Sequence, residues 1–100
     1  MNLKKNSTGS KLMIMVSGRI DTSTAPELQE YANSSLDGVT ELVFDFKEVN
    51  YVSSAGLRVL LSLQKKMMKV GSMKLINVNE AVNDVFEVTG FDEILDYEKG

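Results

Sequence analysis

Glu41-Leu42-Val43-Phe44-Asp45-Phe46 and, shortly after it, Val52-Ser53-Ser54-Ala55-Gly56-Leu57-Arg58 are the residues on which the fold turns. The first run is short, apolar and rich in β-branched and aromatic residues, so it reads as a strand. Lys47 to Asn50 reads as a turn, and Tyr51-Val52 as a further extended piece. From Ala55 to Val70 the residues Leu57, Leu60, Leu61, Leu63, Met67 and Met68 recur at helical spacing. Lys65, Lys66 and Lys69 fall in the last turns, where cations complement the helix dipole. A strand that hands over to a helix of this kind is the repeating unit of an α/β domain.

The flanking sequence continues the alternation. Gly71 ends the helix, Ser72 to Val78 (SMKLINV) reads as a strand, and Asn79 to Val88 reads as a helix burying Val82, Val85 and Phe86. Thr89-Gly90 stops it, and Phe91 to Leu95 reads as a last short helical turn. Toward the N-terminus, Lys11 to Ser17 is a strand closed by Gly18, paired through the turn Asn6 to Ser10 with an extended piece around Leu3. Thr24-Ala25-Pro26-Glu27 predicts a helix start with Thr24 as N-cap, Pro26 in the first turn and Glu27 completing a capping box. That helix is expected to bury Leu28, Tyr31, Ala32 and Leu36 and to stop near Gly38. The order is ββαβαβα, and right-handed crossovers lay the helices mainly on one face of a mixed, partly parallel sheet.

Composition narrows the function. One hundred residues, 43% hydrophobic and 25% charged, suit one domain over residues 1–100. Without cysteine or histidine there are no disulfides, thiol nucleophiles, Cys/His metal sites or imidazole acid–base chemistry. A net charge of −3 argues against direct nucleic-acid binding, which needs a basic footprint. With no long apolar run and no signal-peptide pattern, neither membrane insertion nor export is expected, and a cytoplasmic location is the simplest expectation. Gly18, Gly38, Gly56, Gly71 and Gly90 form no phosphate-cradling loop.

The serines at the corner have two readings. Ser54, directly before a helix expected to begin at Ala55, can cap it by accepting from a first-turn N–H. The same helix start tolerates a phosphate on Ser54, whose added charge a closely packed partner would have to desolvate or repel. A cap does not explain Gly56, since a helical glycine costs about 1 kcal/mol relative to alanine.

Three segments in order carry a family resemblance. Gly18-Arg19-Ile20-Asp21 with Thr24-Ala25-Pro26-Glu27-Leu28, then Leu42 to Phe46 with Val49 and Tyr51, then Ser53-Ser54-Ala55-Gly56-Leu57 resemble the STAS domain of bacterial anti-sigma factor antagonists. The closing run Val88 to Leu95 is also similar. The resemblance implies a non-enzymatic role in partner switching. The unphosphorylated antagonist binds an anti-sigma factor with GHKL-type serine kinase activity and frees a sigma factor. Phosphorylation ends the binding and a PP2C-type phosphatase restores it. Aligning Gly56-Leu57 with the family's Gly-Leu puts the phosphoacceptor at Ser54. The implied partner surface comprises Asp21, Thr22, Ser53, Ser54, Gly56, Leu57 and Arg58. No cofactor is implied, because ATP and its metal belong to the kinase. Two departures stand out: Ser53 replaces the family's acidic residue, and Arg58 replaces a small one. The alternative is a constitutive STAS adaptor, such as a subunit of a membrane lipid-transport complex, in which Ser54 only caps.

Among the remaining residues, Asp21 either lies near the partner surface or holds the turn before Thr24. Asp45, between Phe44 and Phe46, is expected at a sheet edge or polar pocket. Met13, Met15, Met67, Met68 and Met73 are expected to fill the core.

Overall fold

The computed structural model describes residues 1–100. Period-two alternation builds the sheet: β2, Lys11–Ile20, buries Leu12, Ile14 and Val16, and β3, Glu41–Val52, buries Leu42, Phe44 and Phe46. β1, Asn2–Thr8, pairs antiparallel with β2 through the tight turn at Gly9, whose φ of +63° suits glycine. β4, Ser72–Val78, and β5, Tyr97–Lys99, complete a sheet of order β1-β2-β3-β4-β5, parallel everywhere except the first pair.

Between the parallel strands run α1, Ala25–Asn33, α2, Ser54–Met68, and α3, Glu80–Thr89. Each crossover leads to the next strand in the same direction, so a single handedness puts all three helices on one face. There they bury Leu28 and Ala32 from α1, Leu57, Leu60, Leu63 and Met67 from α2, and Val82 and Phe86 from α3 in one cluster of 24 residues. The register puts Met13, Met15, Val43, Asp45, Lys74 and Ile76 on the opposite face, which no helix covers. The result is a single α/β domain with a five-stranded, mostly parallel sheet. None of its helices is long and apolar enough to cross a membrane.

Several boundaries differ from those read in the sequence, each for a local reason. α1 stops at Asn33, and Leu36 reaches the core from the following loop. The expected break at Lys47 to Asn50 is a bulge inside a continuous β3: the register steps from Met15 opposite Asp45 to Ser17 opposite Glu48. Asp45 supports it, its Oδ1 accepting from the Lys47 N–H at 3.0 Å and from Asn77 Nδ2 at 3.1 Å. After α3 the chain makes a 3-10 turn, Phe91–Glu93, and then the unanticipated β5. Three residues are too few for a periodic signal. Tyr97 anchors β5 with an edge-to-face contact to Phe86 at 5.0 Å and a 2.7 Å bond from its hydroxyl to Asn83 Oδ1. Of the methionines, Met67 and Met73 are core, but Met15 is 36% and Met68 70% exposed. Met68 follows Met67 by about 100° around the helix and so faces outward.

Gly71 does more than stop α2. A Cβ there would stand 1.7 Å from the Thr40 carbonyl oxygen, where the start of β4 meets the chain entering β3. Backbone cannot give way as a flexible side chain would. Gly71→Ala is expected to lower stability by at least about 2 kcal/mol, seen as a lower urea midpoint; an unchanged midpoint would contradict the close approach.

Candidate functional site

The C-terminal ends of β2 and β3 lie side by side, and the chain leaves each toward a helix. The Ser53 N–H donates to the Ile20 carbonyl at 2.8 Å, pinning the start of α2 to the end of β2. Ser53 is extended (φ −87°, ψ 175°), and its Oγ accepts from the Gly56 N–H at 3.3 Å while its carbonyl accepts from the Leu57 N–H at 2.9 Å. Ser53 is therefore the N-cap. This corrects the reading of Ser54 as cap: Ser54 is already the first helical residue, exposed, and its hydroxyl makes no hydrogen bond within the chain.

Gly56 is explained by packing. A Cβ there would lie 2.7 Å from Ile20 Cγ2 and 3.0 Å from Val52 Cγ1, so only glycine lets the helix start approach both strand ends. Gly56 and Leu57 are buried and do not form the outer surface expected of them; they support it from beneath. Thr22, Ser54 and Arg58 are exposed, and Asp21 and Ser53 are partly so.

The start of α1 also differs from the expected Thr24–Glu27 capping box. The Thr24 side chain makes no cap bond to its own helix. Instead Asp21 Oδ1 accepts from the Ser23 N–H at 3.0 Å, the Ser23 hydroxyl at 2.7 Å and the Thr24 N–H at 3.1 Å. Thr24 Oγ1 accepts from the Asp21 N–H at 2.8 Å and donates to the Arg19 carbonyl at 2.8 Å. These bonds stabilise the ionised carboxylate, first the one from the Ser23 hydroxyl and then the one from the Thr24 N–H, and hold the Asp21 pKa down at about 2. Asp21 thus has the turn-holding role that one of its readings assigned it, on the rim of the corner.

Two neighbours escaped the sequence reading as site residues. Arg19 stands 3.7 Å from Asp21 Oδ2 through its Nε, and its guanidinium lies 4.3 Å from the centre of the Tyr51 ring, which is 40% exposed. Arg19 and Tyr51 become neighbours only because the register shifts twice along β2, which no sequence period reveals. Between the starts of α1 and α2 an open groove of about 420 Å³ is lined by Thr22, Pro26, Gln29, Ala55, Arg58 and Val59 among others. The corner therefore offers an exposed, unbonded Ser54 hydroxyl at the start of α2 and, between α1 and α2, a shallow groove lined in part by Arg58.

The cap assignment separates the two serines experimentally. Ser53→Ala is expected to cost about 1 kcal/mol, whereas Ser54→Ala should change stability by less than about 0.5 kcal/mol in urea denaturation; the reverse ranking would return the cap to Ser54. The Asp21 bonds imply a pH dependence. With the folded pKa near 2 and the ordinary value at 3.8, the stabilisation is complete above the upper value and is lost as pH falls toward the lower. The stability gap between the unsubstituted chain and Asp21→Asn should be constant above about pH 5 and narrow through that window. A gap independent of pH would refute the role of the charge.

Comparison with known proteins identifies the family and the fold. The STAS domain family model matches residues 2–99. The anti-sigma-B factor antagonist of Bacillus subtilis is 30% identical over 97 residues, covering 96% of this chain and 89% of that one. The crystal structure of an anti-sigma factor antagonist from Mycobacterium paratuberculosis superposes with a TM-score of 0.87 at 24% identity, covering 99% of this chain and 86% of that one. The Bacillus cell fate determinant SpoIIAA in its phosphorylated form shares the fold with a TM-score of 0.74 at 17% identity, covering 98% and 92% of the two chains. The chain belongs to the STAS-domain family of anti-sigma factor antagonists, which are non-enzymatic regulators.

Proposed function

We propose that this chain is a phosphorylation-gated anti-sigma factor antagonist of the cytoplasm, working by partner switching. Unphosphorylated, it binds an anti-sigma factor with GHKL-type serine kinase activity and frees the sigma factor. The kinase then moves the γ-phosphoryl group of ATP to Ser54 Oγ; ADP leaves and the hydroxyl proton passes through the kinase to solvent. A PP2C-type phosphatase reverses the modification by hydrolysis. The partner contacts Asp21, Thr22, Ser53, Ser54 and Arg58 directly, with Gly56 and Leu57 holding the surface in place.

The observation that carries this reading is the free Ser54 hydroxyl. Because Ser53 supplies the cap, a phosphate on Ser54 breaks no native hydrogen bond, yet it puts close to two negative charges on the contact surface. The capping role that the constitutive-adaptor alternative gave Ser54 is filled by its neighbour Ser53. The replacement of the family's acidic residue by Ser53 also has a physical reading: serine and aspartate cap about equally well. The substitution keeps the cap and removes a charge beside the acceptor. The Bacillus relative solved in a phosphorylated form is a precedent within the same fold.

Incubation with a GHKL-type anti-sigma kinase and ATP should place one phosphate on Ser54, mapped by mass spectrometry, and Ser54→Ala should abolish it. Ser54→Asp should fold normally and bind the unphosphorylated partner at least 100-fold more weakly in calorimetry, corresponding to a loss of about 3 kcal/mol. Modification elsewhere, or undiminished binding by Ser54→Asp, would defeat the proposal.

A further inference from the structure

We propose that Arg58 clamps the phosphate carried by Ser54, so that the modified state is held by a contact within the chain itself. The inference rests on Ser54 being the modified residue and adds how that state is maintained. Ser54 and Arg58 are both exposed and stand four residues apart on α2. Residues so spaced are neighbours on a helix, about 5–6 Å apart at Cβ. Long helical side chains lean back toward the N-terminus over the residue four before, so a guanidinium at position 58 can reach a phosphate on Ser54.

Arg58 is also the cation at this corner without another engagement. The ion pairs of the chain are Lys11 with Glu41, Arg19 with Asp21 and Lys74 with Glu98, so Arg58 has none. Arg19 is held between Asp21 and the Tyr51 ring. Asp21, the carboxylate of the adjoining loop, is occupied by Arg19, Ser23 and Thr24. Ser54–Met68 contains no acidic residue, and the groove beside Arg58 is lined by no other charged side chain. The guanidinium fork matches two phosphate oxygens, which an ammonium does not. Phosphorylation then has two effects on a partner: it adds an anion to the contact surface and withdraws a free arginine from it.

The test uses the full chain with phosphoserine incorporated at position 54 during translation, so no kinase is required. The second phosphate ionisation, near pH 6 in an unassisted phosphoserine, is followed by 31P NMR at low salt. It is expected to lie about half a pH unit lower with Arg58 than in Arg58→Gln, with Arg58→Lys between them and Lys65→Gln without effect. Equal values for the unsubstituted chain and Arg58→Gln would overturn the clamp. Full retention by Arg58→Lys would overturn its bidentate character and leave a simple charge effect. A kinase that ignores Ser54 would defeat the proposed function but would leave this titration untouched.

Discussion

The contact between the first turn of α2 and the ends of β2 and β3 governs the arrangement of this molecule. Ile20 and Val52 are buried beneath Gly56, and the Ser53 N–H bonds to the Ile20 carbonyl. One missing methyl group makes both possible. A side chain at position 56 would lift the helix start and separate the cap from its strand. Glycine at a helical position is locally unfavourable by about 1 kcal/mol relative to alanine. That deficit is small beside the burial of two β-branched side chains, each worth about 1.5–3 kcal/mol. Local propensity yields to packing here, and the closely packed corner is the product.

Polar side chains at strand ends set the remaining geometry. Asp45 holds the bulge in β3, the first of the two register shifts that bring Arg19 opposite Tyr51. Asn79 caps α3 by accepting from the Val82 N–H at 2.9 Å, and its amide donates to the Val49 carbonyl of β3. Asp21 and Thr24 hold the start of α1 differently, bonding to each other within the turn and to the Arg19 carbonyl. Three helices are thus started by short polar residues that join each first turn to neighbouring backbone. The helix starts are thereby fixed to the strand ends.

Much of this was legible in order and type. The alternation of β2 and β3, the helical spacing of α2 and the stop at Gly71 all follow from periods that survive in one dimension. The misread features depend on partners distant in sequence. The cap passed to Ser53 because Ile20 fixes the corner one residue earlier than the apolar period implied. The bulge resembled a turn because Lys47 and Glu48 are polar, and its strand character comes from β2. β5 has three residues and exists through its pairing with β4 and the Phe86–Tyr97 contact.

The sequence by itself determined the α/β order, the absence of thiol and imidazole chemistry, and the strand-to-helix corner at VSSAGLR, since composition and spacing are properties of the chain alone. Only the tertiary structure decided which serine caps and which is free, why Gly56 has no side chain, and that Arg19 meets Tyr51. Those outcomes depend on how closely two strand ends and a helix start approach, and that distance is set by core packing between segments more than 30 residues apart.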